Sequence, residues 1–220
     1  MALTKLFAAG ASNAASGTTL TTGTFDSTGY THIVAFGKHE GASGSTQTFS
    51  DNKGSSGQTY YTEERHTTAS LSGQFCMFPI ASPGTGHTVT MTLSSARDFR
   101  GVVVWLVNVS GGGSLTLDVE STAEGNGFAP DAGSLVTTAA TVSFTGVGEY
   151  DSVTYTAGSG WTEDYDSGHF GQSRSDASGT LDPACSLATG GPMDWIACAV
   201  SFKEVTGGGG GTIYPYLMNQ

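Results

Sequence analysis

The stretch from Arg100 to Val109 constrains the fold most, because it is the most apolar run in the chain. It is rich in β-branched and aromatic residues and is bounded by Gly101 and by the glycines at 111–113. The run is too short to span a bilayer, so it predicts a strand. Both faces of that strand are apolar, whereas an antiparallel sheet commonly leaves one face in water. A loop, a second sheet or another subunit must therefore cover the second face.

Other segments alternate between apolar and polar side chains, with a period of two residues. Examples are 87–93, 115–120 and the closing segment 194–203. This period is typical of a half-buried antiparallel strand. The residues that it predicts to be buried, together with two from the central run, are Val89, Met91, Val104, Leu106, Leu115, Leu117, Ile196, Val200 and Phe202.

Composition supports the same fold class. The chain has 33 glycines and only 12% charged residues, which is not a helical composition. Many short strands with Gly and Pro turns predict an all-β protein, either a sandwich or a barrel. We expect a single domain with flexible terminal segments: an N-terminal segment at 1–13, the sandwich at 14–205, and a glycine linker with an apolar tail at 206–220.

Net charge and cysteine usage exclude several partners. A formal charge of −11 without a basic patch argues against nucleic-acid binding, and no stretch is long enough for a membrane span. Residues 6–11 are too short and too broken by Gly10 for a signal peptide. Cys76, Cys185 and Cys198 lack metal-ligand spacing, so we expect reduced thiols made in a cytoplasm, although one bridge would also fit.

Residues that could carry chemistry are present but form no familiar motif. The sequence lacks a Gly-x-Ser-x-Gly elbow and His or Cys metal spacing, so neither a catalytic residue, a metal nor another cofactor is predicted. We expect His39, His66, His87 and His169 to be solvated loop residues. The acidic segment 163–166 could offer oxygen ligands to calcium, and Asp118 with Glu120 could form a glycosidase pair. Solvated acids are the simpler interpretation of both.

Aromatic side chains offer one candidate binding surface. Trp161 and Tyr165 could stack on sugar rings, with Trp161 as the exposed platform, whereas Trp105 and Trp195 are expected to fill the core. A host-surface glycan is therefore a candidate ligand.

The C-terminal tail offers a candidate assembly surface. After five glycines at 207–211 it continues as Thr-Ile-Tyr-Pro-Tyr-Leu-Met, which is apolar for a terminus. A frayed end needs no aromatics, so we expect a docking peptide, although packing back on its own domain is the competing interpretation. The tail residues predicted to make the contact are Ile213, Tyr214, Tyr216, Leu217 and Met218.

Several stretches occur in an order that resembles a known group of proteins. They include the turn Ser50-Asp51-Asn52-Lys53-Gly54, the Thr59-Tyr60 pair that follows it, and the closing strand from Trp195 to Lys203. Together, over most of residues 16–204, they resemble a diffuse family of β-sandwich domains in phage structural proteins and large bacterial surface proteins. The resemblance implies an antiparallel β-sandwich of jelly-roll-like type and no catalytic residues.

These observations predict a non-enzymatic virion structural protein of a bacteriophage. We expect a capsid-decoration, head or tail–neck component that is made in the host cytoplasm, acts through contacts with other virion proteins and forms a homo-oligomer. The alternative is a carbohydrate-binding or adhesive module on a cell or virion surface. A polysaccharide hydrolase has only scattered acids in its favour.

Overall fold

The computed structural model describes residues 3–41, 45–66, 68–149, 153–176, 178–188 and 191–205. Within these ranges the regular elements are strands, apart from one 3₁₀ turn at Ser110–Gly112, and all-β is confirmed. None of the described segments is a helix that could cross a membrane.

The strands are β1 (Thr4–Asn13), β2 (Gly17–Thr21), β3 (His32–Glu40), β4 (Gln47–Asp51), β5 (Thr59–Tyr60), β6 (Glu64–His66), β7 (Leu71–Pro79), β8 (Val89–Arg97), β9 (Arg100–Asn108), β10 (Ser114–Gly127), β11 (Leu135–Thr137), β12 (Thr141–Gly148), β13 (Tyr155–Thr156), β14 (Thr162–Asp166), β15 (Phe170–Asp176), β16 (Gly179–Leu181), β17 (Ser186–Leu187) and β18 (Met193–Val205).

Two large sheets form the interior. Inner sheet 1 has the order β1-β9-β3-β7-β5, with β6 also paired to β7. Inner sheet 2 has the order β10-β18-β12-β15-β14. Both are antiparallel throughout. The N-terminal segment predicted for residues 1–13 contains β1, which pairs with β9 along its whole length.

Aromatic side chains fill the space between the inner sheets. Trp105 of inner sheet 1 lies 5.1 Å from Phe144 of inner sheet 2, measured between ring centroids, and Phe75 lies 6.0 Å from Trp105. Two glycines that pair across β12 and β15 make room for this cluster, because a Cβ on Gly146 would meet the ring of Phe36 and one on Gly171 would meet Trp105. The large rings therefore require glycine at the positions of the opposing strands that face them.

A further sheet of the same chain covers the second face of the central run. The outer sheet β2-β8-β4 places Phe49 and Met91 in one buried cluster with Val102, Val104 and Leu106 of β9. Of the three covers that the sequence allowed, a second sheet is therefore the one observed. On inner sheet 2, the pairs β11–β16 and β13–β17 contribute to a corresponding outer cluster with residues of β15 and β18.

The two halves of the chain repeat one strand order. Each half, 4–108 and 114–205, contains nine of the described strands. In both inner sheets the first strand of the half lies at the edge, the last strand lies beside it and the third strand comes next. The outer strands also correspond between the halves. In the first half β2 and β4 both pair with β8, and in the second half β11 pairs with β16 and β13 pairs with β17. Among the described strands, every ladder joins strands of the same half.

The predicted core is confirmed with one exception. Eight of the nine residues are buried, but Leu117 is only partly so. A bulge follows Leu117 in β10: Leu117 pairs with Phe202 and Val119 with Ser201, so Asp118 is an extra residue. A bulge reverses the faces of the residues that follow it. Val119 accordingly packs in the outer cluster, whereas Leu117 packs between the inner sheets.

Candidate functional site

A serine, a histidine and an aspartate meet in the first half of the chain. Ser27 lies in the loop before β3, His87 lies just before β8, and Asp51 ends β4. Ser27 Oγ is 2.8 Å from Nδ1 of His87, and Nε2 of the same ring is 2.8 Å from Asp51 Oδ2. The three residue types of a hydrolase triad are thus connected in the order serine, histidine, aspartate. No local sequence motif predicted this arrangement.

The arrangement differs from a catalytic triad in two physical respects. In a triad the serine contacts Nε2 and the acid contacts Nδ1, which is the reverse of this ring. The side chains of Ser27, His87 and Asp51 are also fully buried. Ser27 Oγ accepts a hydrogen bond from the backbone N–H of Gly84 at 3.0 Å, so this oxygen is engaged and shielded from any substrate.

The three residues instead tie three loops together. Asp51 accepts hydrogen bonds from the backbone N–H and the hydroxyl of Ser55, at 2.9 and 2.5 Å, which closes the turn that follows β4. Burial raises the pKa of Asp51, but the bonds from Ser55 and His87 outweigh it and leave the pKa below its ordinary value. Phe25 stacks on the His87 ring at 5.0 Å. We interpret the network as a structural tie.

Histidine burial was predicted wrongly for three of the four loop histidines. His39, His87 and His169 are buried, and only His66 is partly accessible. The missed signal for His87 is the alternation itself, since 87 has the same parity as Val89 and Met91 and therefore shares their inward face. Burial lowers the pKa of His169 to about 3, with the positive charge of Lys38 adding to the effect, so this ring is neutral near pH 7.

Asp118 and Glu120 do not form a carboxylate pair. The bulge directs them to different partners: Asp118 accepts from the backbone N–H of Thr138 at 2.7 Å and from Lys203 Nζ at 2.6 Å. Glu120 accepts from the backbone N–H of Thr62 in the other half at 2.9 Å. Burial opposes ionisation of Asp118, yet the bonds from Lys203 and Thr138 hold its pKa below the ordinary value. Both acids anchor neighbouring segments.

The acidic segment 163–166 is a strand rather than a solvated loop. It forms most of β14, where Asp164 accepts a hydrogen bond from the indole N–H of Trp105 at 2.8 Å. Asp166 accepts from the backbone N–H of Tyr155 at 2.9 Å. Within the described ranges, His, Cys, Asp and Glu side chains do not come together in groups of three or more that could hold a metal ion.

The predicted sugar platform is not exposed. Trp161 has 7% of its surface accessible and donates its indole N–H to the backbone oxygen of Asp182 at 2.6 Å. The expectation that Trp161 is exposed is therefore wrong. Tyr165 is partly buried, and its ring covers Gly10 and lies 6.1 Å from Phe7. Binding of a glycan by these two residues stays a prediction.

Other buried polar groups join the two halves. Lys38 of β3 donates from Nζ to the backbone oxygen of Glu149 at 2.5 Å, and both residues are buried. Burial lowers the pKa of Lys38, while the charges of Glu149 and Glu40 oppose that change.

All three cysteines are free and buried, which agrees with the expected reduced thiols. Burial raises the pKa of Cys76 to about 12, and it also raises those of Cys185 and Cys198. A thiol with a raised pKa forms little of the reactive thiolate. These positions are therefore suited to packing rather than to chemistry.

The chain matches no protein-family model, no curated protein and no solved structure. Function must therefore be argued from the residues themselves. The predicted assembly tail at 213–218 lies outside the described residues.

Proposed function

We propose that this protein is a non-enzymatic structural component of a bacteriophage virion that acts through protein–protein assembly. A position in capsid decoration, the head or the tail–neck region fits the sequence resemblance. The accompanying fold proposal is a β-sandwich formed by inner sheets 1 and 2, which share one buried aromatic cluster. The jelly-roll order stays a prediction.

An open sheet edge is the observation that carries the proposal. β1 is the outermost strand of inner sheet 1 and pairs only with β9 among the described strands. Such an edge exposes a row of backbone donors and acceptors that can pair with another chain. Its exposed Leu6 adds apolar surface. An edge strand that is unpaired on one side among the described strands and carries exposed apolar surface supports assembly.

The interior supports the same proposal less directly. Ser27, His87 and the acids at positions 51, 118, 120 and 164 are engaged in hydrogen bonds to other segments of the chain. Such ties give rigidity, which a particle component needs. The doubly apolar β9 is covered on both faces within the chain, so it does not indicate a partner subunit.

Detection in purified particles tests the proposal. Particles banded by density from a lysate of producing cells should contain the protein at a fixed copy ratio to the major capsid or tail protein, measured by quantitative mass spectrometry. A trace amount that varies between preparations and is removed by a salt wash would refute a virion role. A host protein purified to the same gradient fractions serves as the control for carry-over.

Carbohydrate binding is the weaker proposal, because its main platform, Trp161, is buried. Glycan-array binding that is lost in Trp161→Ala but kept in Tyr60→Ala, a change at a partly exposed aromatic elsewhere, would favour it over assembly.

A further inference from the structure

The edge of β1 lacks the charges that usually prevent edge-to-edge pairing. Of its residues, Thr4 to Asn13, only Lys5 is charged, and Lys5 Nζ is directed inward, donating to Ser173 Oγ at 2.6 Å. Leu6 is 46% exposed. The equivalent edge strand of the second half, β10, is covered in part by the first half, because Glu120 accepts a hydrogen bond from the backbone N–H of Thr62. β1 presents no outward charge to an incoming strand, and the bulge between Phe7 and Ala9 limits regular pairing to the residues on either side of it.

We propose that the open edge of β1 binds residues 212–218 of a second copy of this chain as an added antiparallel strand. The inference rests on the proposed function and names its partner. The segment Thr-Ile-Tyr-Pro-Tyr-Leu-Met is uncharged and apolar, which suits an uncharged edge. Proline is tolerated on an outermost strand, where its missing N–H faces away from the sheet. Pro215 would also prevent a further strand from adding beyond it.

The place where the tail leaves the molecule favours a second copy over the same chain. Val205 pairs with Ser114 at the start of β10, and Thr4 pairs with Asn108, only a short turn earlier in the chain. The tail therefore leaves at the end of the molecule where β1 begins. If the tail added to β1 of its own chain, it would have to run parallel to that strand.

An antiparallel strand from the same chain is out of reach. The tail would first have to travel the length of β1, about 30 Å for its residues. Residues 206–211 extend to about 22 Å at most, even before the path around the sheets is counted. Every described ladder is antiparallel, and antiparallel pairing is the slightly more stable kind. A second copy can approach from the other end and supply this direction.

Thiol cross-linking between two variants that each carry one added cysteine tests the pairing. Leu6→Cys and Tyr216→Cys proteins are mixed and treated with a short bismaleimide, with the wild type as control because its three thiols are buried. A cross-linked dimer that forms only in the mixture is expected. The double variant should also give dimers and larger species. A double variant that cross-links within the monomer would overturn the second copy as occupant, and absence of any product would overturn the edge itself.

Light scattering measures self-association and allows a matched comparison between lysine substitutions at two exposed positions. Leu6→Lys should weaken self-association at least tenfold, as should deletion of 206–220. Val136→Lys, at a 63% exposed position on β11, should change it less than twofold. Equal effects of the two lysines would contradict the proposal. Incorporation into particles separates the two ideas: a protein present in virions but without cross-links refutes the pairing alone, whereas a cross-linked dimer that never enters particles refutes the virion role alone.

Discussion

Replacing Gly146 with alanine tests the packing between the inner sheets most directly. A Cβ at this position would lie 2.2 Å from Cγ of Phe36 and 2.3 Å from its Cδ1. Ordinary contacts between carbon atoms are about 3.5–4.0 Å, so the ring must move by more than about 1 Å. Phe36 is fully buried and lies 5.1 Å from Phe75, which leaves no open side. Protein interiors are packed like crystals, so such a shift is transmitted to neighbours.

The expected loss of stability is about 2–3 kcal/mol. Overpacking a core costs about 1–3 kcal/mol or more, and this contact belongs at the upper end. Alanine returns about 0.5–1 kcal/mol because glycine loses more backbone entropy on folding. Gly23→Ala is the control, since no atom lies within 4 Å of its would-be Cβ. That variant should change the free energy of unfolding by less than about 0.5 kcal/mol.

Urea unfolding followed by the fluorescence of the three buried tryptophans measures both variants. A double-mutant cycle with Phe36→Ala identifies the cause, because removing the ring should abolish the penalty of Gly146→Ala. If Gly146→Ala unfolds at the wild-type urea concentration, or costs the same without the ring, the close approach of these two residues is wrong.

Three further predictions concern stability. Because His169 stays neutral in the fold but protonates when unfolded, the free energy of unfolding should fall by up to about 1.4 kcal/mol per pH unit below about pH 6.5. Urea titrations at pH 7 and 5 should show a smaller loss of stability in His169→Phe than in the wild type. An equal loss of stability in both proteins would contradict this prediction. Ser27→Ala should cost about 1–3 kcal/mol because it leaves buried partners unpaired, including Nδ1 of His87; a cost as small as that of the exposed Thr28→Ala would argue against the tie. Leu115→Ala should cost about 2–3 kcal/mol and Leu117→Ala clearly less, since Leu115 is buried and Leu117 only partly so. The reverse order in thermal unfolding would contradict this difference in burial.

Local pattern was sufficient to predict strands and their inward faces. The segments 87–93, 100–109 and 194–203 are strands with the predicted residues buried, because a strand's two-residue period appears directly in the sequence. The segment 163–166 shows the limit. Its charges indicate a loop, yet it is strand β14, because Asp164 and Asp166 find donors in Trp105 and Tyr155 that are distant in the chain.

The remaining errors have a common physical cause. The bulge at Asp118 depends on the register of β18, which no pattern within β10 can reveal. The Ser27, His87 and Asp51 network depends on loops brought together by the outer sheet, and the burial of Trp161 depends on the segment around Asp182. Each is decided by a partner far along the sequence. The inward face of a strand could be predicted from the sequence, whereas the distant residues that contact it could not.

The repeated strand order gives the molecule the character of a dimer whose two subunits share one polypeptide. Backbone ladders close within each half, so the halves meet through side chains such as Trp105 and Phe144, as separate proteins would. The turn at Ser110–Gly112 then acts as a tether that keeps the effective concentration of each half for the other high. A chain cut in this turn would retain every ladder, and its two fragments would recognise each other through the aromatic cluster, with an affinity that now depends on their concentration.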